Sequence, residues 1–278
     1  MNKIKYSVLM SVYNGENEGF LKSSIESMFK QTQMPDEIVI VVDGPINDKL
    51  ISVIKSYDLN YPGYLTVVEL EKNVGLGKAL NIGLTRCKNE LVARMDTDDI
   101  SLSNRCEKQI KEFIKDPELC IIGSNIDEFY DNPNEVFSSR VVPSQYKEIL
   151  KFSKRRNPFN HPTVMYKKST VLDLGGYGDF RRNQDLDLFV RILHNGHKAK
   201  NINESLLLFR ANIDNLKRRK SWRKCTSYIV LIYNFWRMGH SSILDLIIVF
   251  ISQIVILIMP IWFLERVSSK YLRKEKTN

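Results

Sequence analysis

The sequence predicts an α/β fold: a mostly parallel central sheet with helices on both faces, followed by a basic, apolar helical tail. Three observations carry this. Short continuous aliphatic runs recur along the first half. Amphipathic helical patterns separate them at the spacing of strand–helix–strand units. Near Asn215 the composition changes abruptly.

Ser7–Val12 is the first strand, and Phe20, Leu21, Ile25, Met28 and Phe29 then share one helical face. Glu37–Val42 reads as a strand buried on both sides, being a continuous aliphatic run from Ile38 onward. Tyr64–Leu70 is the third strand, and Val74–Thr85 a helix with Leu76, Leu80 and Leu84 spaced by four. Leu91–Met95 is a strand ending in a run of acids, and Asn104–Lys115 is a helix stopped by Asp116-Pro117. Cys120–Ile126 is a fifth strand, and Val136–Val142 reads as an edge strand. Gln145–Phe152 is helical, Lys154–Pro162 a polar loop, Thr163–Tyr166 a short strand, and Ser169–Leu174 a helix ended by Gly175-Gly176. Asp185–His194 is amphipathic, and Lys198–Phe209 forms one or two strands.

The chain has 278 residues, 43% hydrophobic and 26% charged, with 13 Gly and 9 Pro, which excludes collagen-like, low-complexity and wholly disordered classes. A mean hydropathy of -0.25 excludes a polytopic membrane protein. The net charge of +9 is unevenly placed. Residues 1–213 hold 29 Lys+Arg against 28 Asp+Glu, whereas residues 214–278 hold 12 against 4. No basic stripe crosses the body, so nucleic-acid binding is not expected. Cys87, Cys106, Cys120 and Cys225 form no CxxC and read as small buried hydrophobes of a reducing compartment. The N-terminus enters the first strand without a secretory pattern.

Two regions are expected: a catalytic unit over 1–214 and a basic, apolar helical region over 215–278. In the second, Leu246–Leu264 carries no formal charge over about the ~20 residues that a bilayer span needs. Ser252, Gln253 and Pro260 interrupt it. Basic residues flank it on both sides, from Lys217–Lys224 to Arg266, Lys270 and Arg273. Both flanks on one side of the membrane suit a helical hairpin or an interfacial helix better than a transmembrane helix. Anchorage on an anionic membrane face is therefore expected, with a buried core helix as the alternative.

Candidate chemistry begins with Arg94-Met95-Asp96-Thr97-Asp98-Asp99. Three carboxylates directly after a strand repel one another and call for a counter-charge. A hard divalent cation bridging a nucleotide diphosphate supplies one, and Mg²⁺ and Mn²⁺ prefer such oxygen donors. The same acids read equally as a cap for the helix near Asn104. Asp43 closes the second strand, where it either accepts from a base or ribose or simply opens a turn before Gly44. Ser11-Val12-Tyr13-Asn14-Gly15 follows the first strand and is neither a P-loop nor GxGxxG. In Gln184-Asp185-Leu186-Asp187 the two acids diverge on a helix. Asp185 fits a general base or a helix-start acid.

Taken jointly, SVLMSVYNG, VVDGP, NVGLGKALNIGL, RMDTDDIS, HPTVMYKKS and GGYGDFRRNQDLDLFVRIL resemble the family 2 glycosyltransferases of GT-A fold. The match covers about residues 6–215 and is closest to the bacterial exopolysaccharide and capsule branch, of the amylovoran-biosynthesis type. The resemblance implies that Ser11, Val12 and Tyr13 line the nucleotide pocket and that Asp43 binds the base. It places Asn73 and Lys78 near the nucleotide, with Lys78 toward a phosphate. Asp96 and Asp98 match the DxD pair, with Asp98 the direct metal ligand and Asp99 in support. Asp185 stands where the family keeps its catalytic base, although Gln184 replaces the usual acidic partner. His161 falls near the diphosphate or acceptor, or merely caps its loop. Arg210, Lys217 and Arg218 resemble a loop that clamps the leaving diphosphate, or else contact the membrane.

The implied activity is inverting, Mn²⁺- or Mg²⁺-dependent transfer from a UDP-sugar to a hydroxyl of a lipid-linked saccharide. The implied place is the cytoplasmic face of the membrane, held through the C-terminal segment. Two other readings are a non-catalytic nucleotide-sugar-binding subunit and a sugar nucleotidyltransferase. The second needs a basic Gly-rich loop after the first strand, and here that loop is acidic.

Overall fold

The computed structural model describes residues 4–180, 182–211, 222–259 and 274–275. Strand β1 (Tyr6–Val12) lies between β2 (Glu37–Val42) and β4 (Leu91–Arg94), parallel to both, and β3 (Leu65–Glu69) continues the parallel half. Beyond β4 the sheet turns antiparallel through β8 (Met165–Lys167), then β6 (Leu119–Phe129) and β7 (Val136–Arg140). The long strand β9 (Lys198–Arg210) runs parallel to β6 and pairs antiparallel with the two-residue β5 (Ile100–Ser101). Lys274–Glu275 pairs with β7 as β10. Lys198–Phe209 is thus one strand.

Helices cover both faces. On one side α1 (Glu18–Phe29), α2 (Asp48–Asn60) and α4 (Arg105–Lys115) pack their apolar stripes on the alternate strand residues Tyr6, Val8, Met10 and Ile38, Ile40. On the other, α3 (Leu76–Arg86) and α7 (Gln184–His194) pack on Leu9, Val39 and Val41. Opposite-facing neighbours along one strand follow from the two-residue side-chain period. Helix α2 is an addition to the sequence reading. Its buried residues Leu50, Ile54 and Tyr57 have helical spacing, and the Asn47 side chain caps its first turn. Helices α5 (Tyr146–Ser153) and α6 (Lys168–Asp173) fill the remaining expected positions.

Close packing of α3 depends on Gly83. A Cβ there would lie 2.5 Å from both Leu9 Cδ1 and Val41 Cγ2, which belong to fully buried strand residues. Gly83→Ala is expected to destabilise the fold by roughly 1–3 kcal/mol, read as a lower denaturation midpoint, because those side chains have no free volume. An unchanged midpoint would contradict this packing.

Helices α8 (Trp222–Arg237) and α9 (Ile243–Ile258) form an antiparallel hairpin against α7. Ser242 and Asp245 build a capping box at the start of α9. Among the described residues, no helix is long and apolar enough to cross a membrane. A transmembrane helix, which the length of Leu246–Leu264 allowed, is therefore not supported, and the hairpin favoured by the flanking charges is what forms. The helix begins earlier and stops at Met259, whose extended backbone is the conformation favoured before Pro260. Its 16 residues span about 24 Å, short of the ~30 Å hydrocarbon layer. Residues 260–264 and most of the flanking basic residues lie outside the described set.

Candidate active site

The carboxyl ends of β1, β2 and β4 open onto one cavity of about 1020 Å³. Ser11, Tyr13, Asp43, Asn73, Asp96, Asp98 and Arg210 all line it. Three distant stretches converge there because parallel strands end on the same sheet edge, the usual ligand position of open α/β sheets.

Asp43 forms part of the floor. Only 4% of its surface is exposed. Its Oδ1 accepts from the Val74 amide at 2.7 Å and its Oδ2 from the Gly75 amide at 3.1 Å. The carboxylate therefore pins the loop leading into α3, in addition to facing the cavity. Gly44 permits this approach. Its φ is +86°, and a Cβ would lie 2.5 Å from the Asn73 amide nitrogen. Asn73 in turn donates to the Asp43 carbonyl at 3.2 Å.

The acidic run forms the next wall. Carboxylate oxygens of Asp96, Asp98 and Asp99 lie within 4.8 Å of one another. Burial, then the charges of Asp96 and Glu16, pushes Asp98 up to about 7. Burial and the Asp98 and Asp96 charges raise Asp99 well above the usual carboxylate range. Asp99 Oδ1 accepts from the Arg210 amide at 2.9 Å, while its buried Oδ2 has no hydrogen-bond partner among the described residues. The trio is thus short of positive charge and offers only oxygen donors, which fits a hard cation such as Mn²⁺ or Mg²⁺. The capping alternative does not match the geometry: Asn104 occupies the N-cap of α4, without any side-chain cap bond.

Several residues unassigned from the sequence brace the wall from behind or complete it. The buried Arg94 guanidinium forms an ion pair with Asp96. Thr97 donates its hydroxyl to Glu16, tying the loop after β1 to the acids. Glu16, Tyr130 and Asp131 also line the cavity, the last two just beyond β6. Arg210 ends β9 opposite Phe129. Its guanidinium sits 3.9 Å from the Phe20 ring centroid and 4.6 Å from that of Phe129, and Nε donates to the Asp98 carbonyl at 3.0 Å. No local motif announces Tyr130, Asp131 or Phe129, because the β6–β9 pairing that brings them in is non-local.

Other expected residues sit elsewhere. Val12 is wholly buried in the core, and only its carbonyl serves the site, accepting the Asp43 amide at 2.8 Å. Lys78 is off the cavity wall and pairs with Asp179 at 2.9 Å, because its position on α3 faces the loop after Gly178. Lys217 and Arg218 lie outside the described residues.

Asp185 and His161 stand beyond the cavity wall but are electrically joined to it. His161 Nε2 meets the Tyr177 hydroxyl at 3.0 Å. Burial and the Arg94 charge hold its imidazole below the ordinary histidine range, against the opposing pull of both Asp185 and Asp96. Asp185 lies in the first turn of α7, half-buried, and its Oδ2 accepts from Asn157 Nδ2 at 2.6 Å. Its neighbour Asp187 is a brace: Arg191 binds it at 2.7 Å and reaches the Gly176 carbonyl at 2.6 Å. Gln184 packs on Gly77 at the start of α3.

Residues 7–173 match the model of Glycosyl transferase family 2. The chain is 38% identical over 272 residues to the UDP-Gal:alpha-D-GlcNAc-diphosphoundecaprenol beta-1,3-galactosyltransferase of Escherichia coli, covering 97% of each. It is 39% identical over 226 residues to the Amylovoran biosynthesis glycosyltransferase AmsE of Erwinia amylovora, covering 81% of this chain and 84% of that one. The mannosyltransferase PcManGT from Pyrobaculum calidifontis, solved with GDP-Man and Mn2+, has the same fold at a TM-score of 0.65 and 14% identity, over 96% of this chain and 79% of that one. S. aureus TarS 1-349 in complex with UDP gives 0.59 and 18%, over 96% and 72%. With the family match over more than half its length and relatives near 40% identity, this GT-A-like chain belongs to glycosyltransferase family 2 and is a glycosyltransferase.

Proposed function

We propose that the enzyme transfers a hexosyl group from a UDP-sugar to a hydroxyl of a lipid-linked saccharide, with inversion, in surface polysaccharide synthesis. The observation that carries this reading is the single cavity shared by Tyr13, Asp43, Asp96, Asp98 and Arg210. The name of the Escherichia coli relative, a UDP-Gal transferase acting on a diphosphoundecaprenol-linked sugar, supports both donor and acceptor classes.

In this reading Tyr13, Asn73 and the loop pinned by Asp43 hold the nucleoside. Arg210, kept in place by two rings and the Asp98 carbonyl, presents positive charge beside the acids. A divalent cation, Mn²⁺ or Mg²⁺, bound by Asp96 and Asp98 with Asp99 in support would neutralise charge developing on the leaving diphosphate. Asp185, oriented by Asn157, takes the acceptor proton as the acceptor oxygen bonds to the sugar's anomeric carbon. The bond from that carbon to the diphosphate breaks and UDP leaves. His161 and Tyr177, in contact with each other, feel the charges of both Asp185 and Asp96. Residues 1–214 carry this chemistry, and residues 215–278 hold the enzyme on the cytoplasmic face of the membrane.

The test is a donor screen with the purified full chain, Mn²⁺ and a lipid-linked acceptor. UDP release from one UDP-sugar is expected, with a product of opposite anomeric configuration. Retained configuration would overturn the mechanism, and pyrophosphate release would revive the nucleotidyltransferase reading.

A further inference from the structure

Helix α9 contains no lysine or arginine, and its single acid, Asp245, is buried, capping the helix and paired with Arg155. Nine of its apolar side chains are more than a third exposed, with Ile258 at 74%. At 100° per residue they occupy a continuous arc of about 160°. Asp245 and Val249 lie on the opposite, buried side. Helix α8 contributes Val230, Tyr233 and Trp236 to the same surface. Between the helices runs an apolar groove of about 360 Å³, floored by Ile229, Leu246 and Phe250. Monomeric soluble proteins rarely expose apolar patches beyond a few hundred Å².

The surroundings of this face identify its occupant. The basic run Lys154-Arg155-Arg156 abuts the hairpin turn, where Ser241 donates to the Lys154 carbonyl at 2.8 Å. Tyr228 of α8 donates to the Arg155 carbonyl at 2.7 Å. Residues 214–278 hold 12 Lys+Arg against 4 Asp+Glu. An apolar face this wide, with exposed aromatics on it and Lys154 and Arg156 beside the hairpin turn, fits an anionic bilayer interface. The arc is also wider than the narrow seam that one partner helix covers.

The hairpin is joined to the chemistry. Leu186 and Val190 of α7 share one buried cluster with Leu231, Ile232, Phe235 and Val249. Asp185 precedes Leu186 on that same helix.

We propose that the α8–α9 hairpin lies in the acyl-chain border of an anionic leaflet, and thereby fixes Asp185 at headgroup height, where a lipid-linked acceptor presents its sugar. The proposal rests on the acceptor class proposed above. The full chain would be sedimented with vesicles of phosphatidylcholine alone and with phosphatidylglycerol mixed in. About tenfold tighter binding to the anionic vesicles is expected. The Ile247→Glu, Ile251→Glu double variant, altered only on the exposed arc, should lose about tenfold or more of that binding. Its circular dichroism and its slow acceptor-free UDP release from the donor should stay unchanged. In the unaltered chain, tryptophan fluorescence should be quenched by lipids brominated along the acyl chain. Equal vesicle binding by the variant, or no quenching, would overturn the proposal. A dimer of the native chain that the variant dissociates, with vesicle binding unaltered, would assign the face to a second copy instead. Donor turnover reads the catalytic assignment separately, so either can fail alone.

Discussion

Asp185→Asn is expected to lower sugar transfer by about 10²–10⁴-fold, the usual contribution of a positioned general base. Donor affinity should change by less than about twofold, since Asp185 is not part of the donor cavity wall. The variant is nearly isosteric, and Asn157 can still hydrogen-bond to the new amide oxygen, so the fold should persist. Two features separate this residue from an ordinary helix-start acid. Asn183, with φ of 60°, occupies the N-cap of α7 and no side chain caps that helix. Asp185 instead turns away to Asn157 and acts on His161 and Tyr177, which also feel Asp96. Steady-state kinetics with donor binding measured separately decides the matter. A turnover within a few-fold of the native enzyme would remove Asp185 from the mechanism.

Asp98→Ala should cost roughly 10²–10³-fold in turnover, matching the several kcal/mol that a metal ion supplies to a leaving group. It should also abolish the response of the remaining activity to Mn²⁺. The physical ground is the upward shift of Asp98: burial, Asp96 and Glu16 all disfavour a lone proton-free carboxylate there. A divalent cation reverses that penalty. Mn²⁺ titration by calorimetry should show binding in the native chain and much weaker binding in the variant. An identical Mn²⁺ response in both would reject Asp98 as a ligand.

The parallel half of the sheet was legible because Ile38–Val42 and Leu91–Ala93 are continuous aliphatic runs, and such runs are buried wherever they pair. The insertion of β8 between β4 and β6 was not, since the three residues Met165–Lys167 encode no partner. Asp43, Asp96 and Asp98 reached one cavity because each ends a parallel strand or directly follows one. Lys78 did not, because one helical step decides whether a side chain faces the donor or Asp179, and the motif does not fix that step. Arg210 was visible as a cation, but its placement depends on a strand pairing 80 residues apart from Tyr130, whose carbonyl it reaches. The charge-free run after Leu246 was visible as apolar. Its true beginning was set by the Ser242–Asp245 box, a short-range polar signal that hydropathy does not register.

The engagement of Asp43 with the Val74 and Gly75 amides bears on attempts to change donor preference. A substitution at this acid would untie a crossover, so loss of activity there would not by itself report on the proposed contact with the base. Tyr13 lines the same cavity and is 51% exposed, so a substitution there would test the proposed donor contact with less disturbance to the scaffold beneath it.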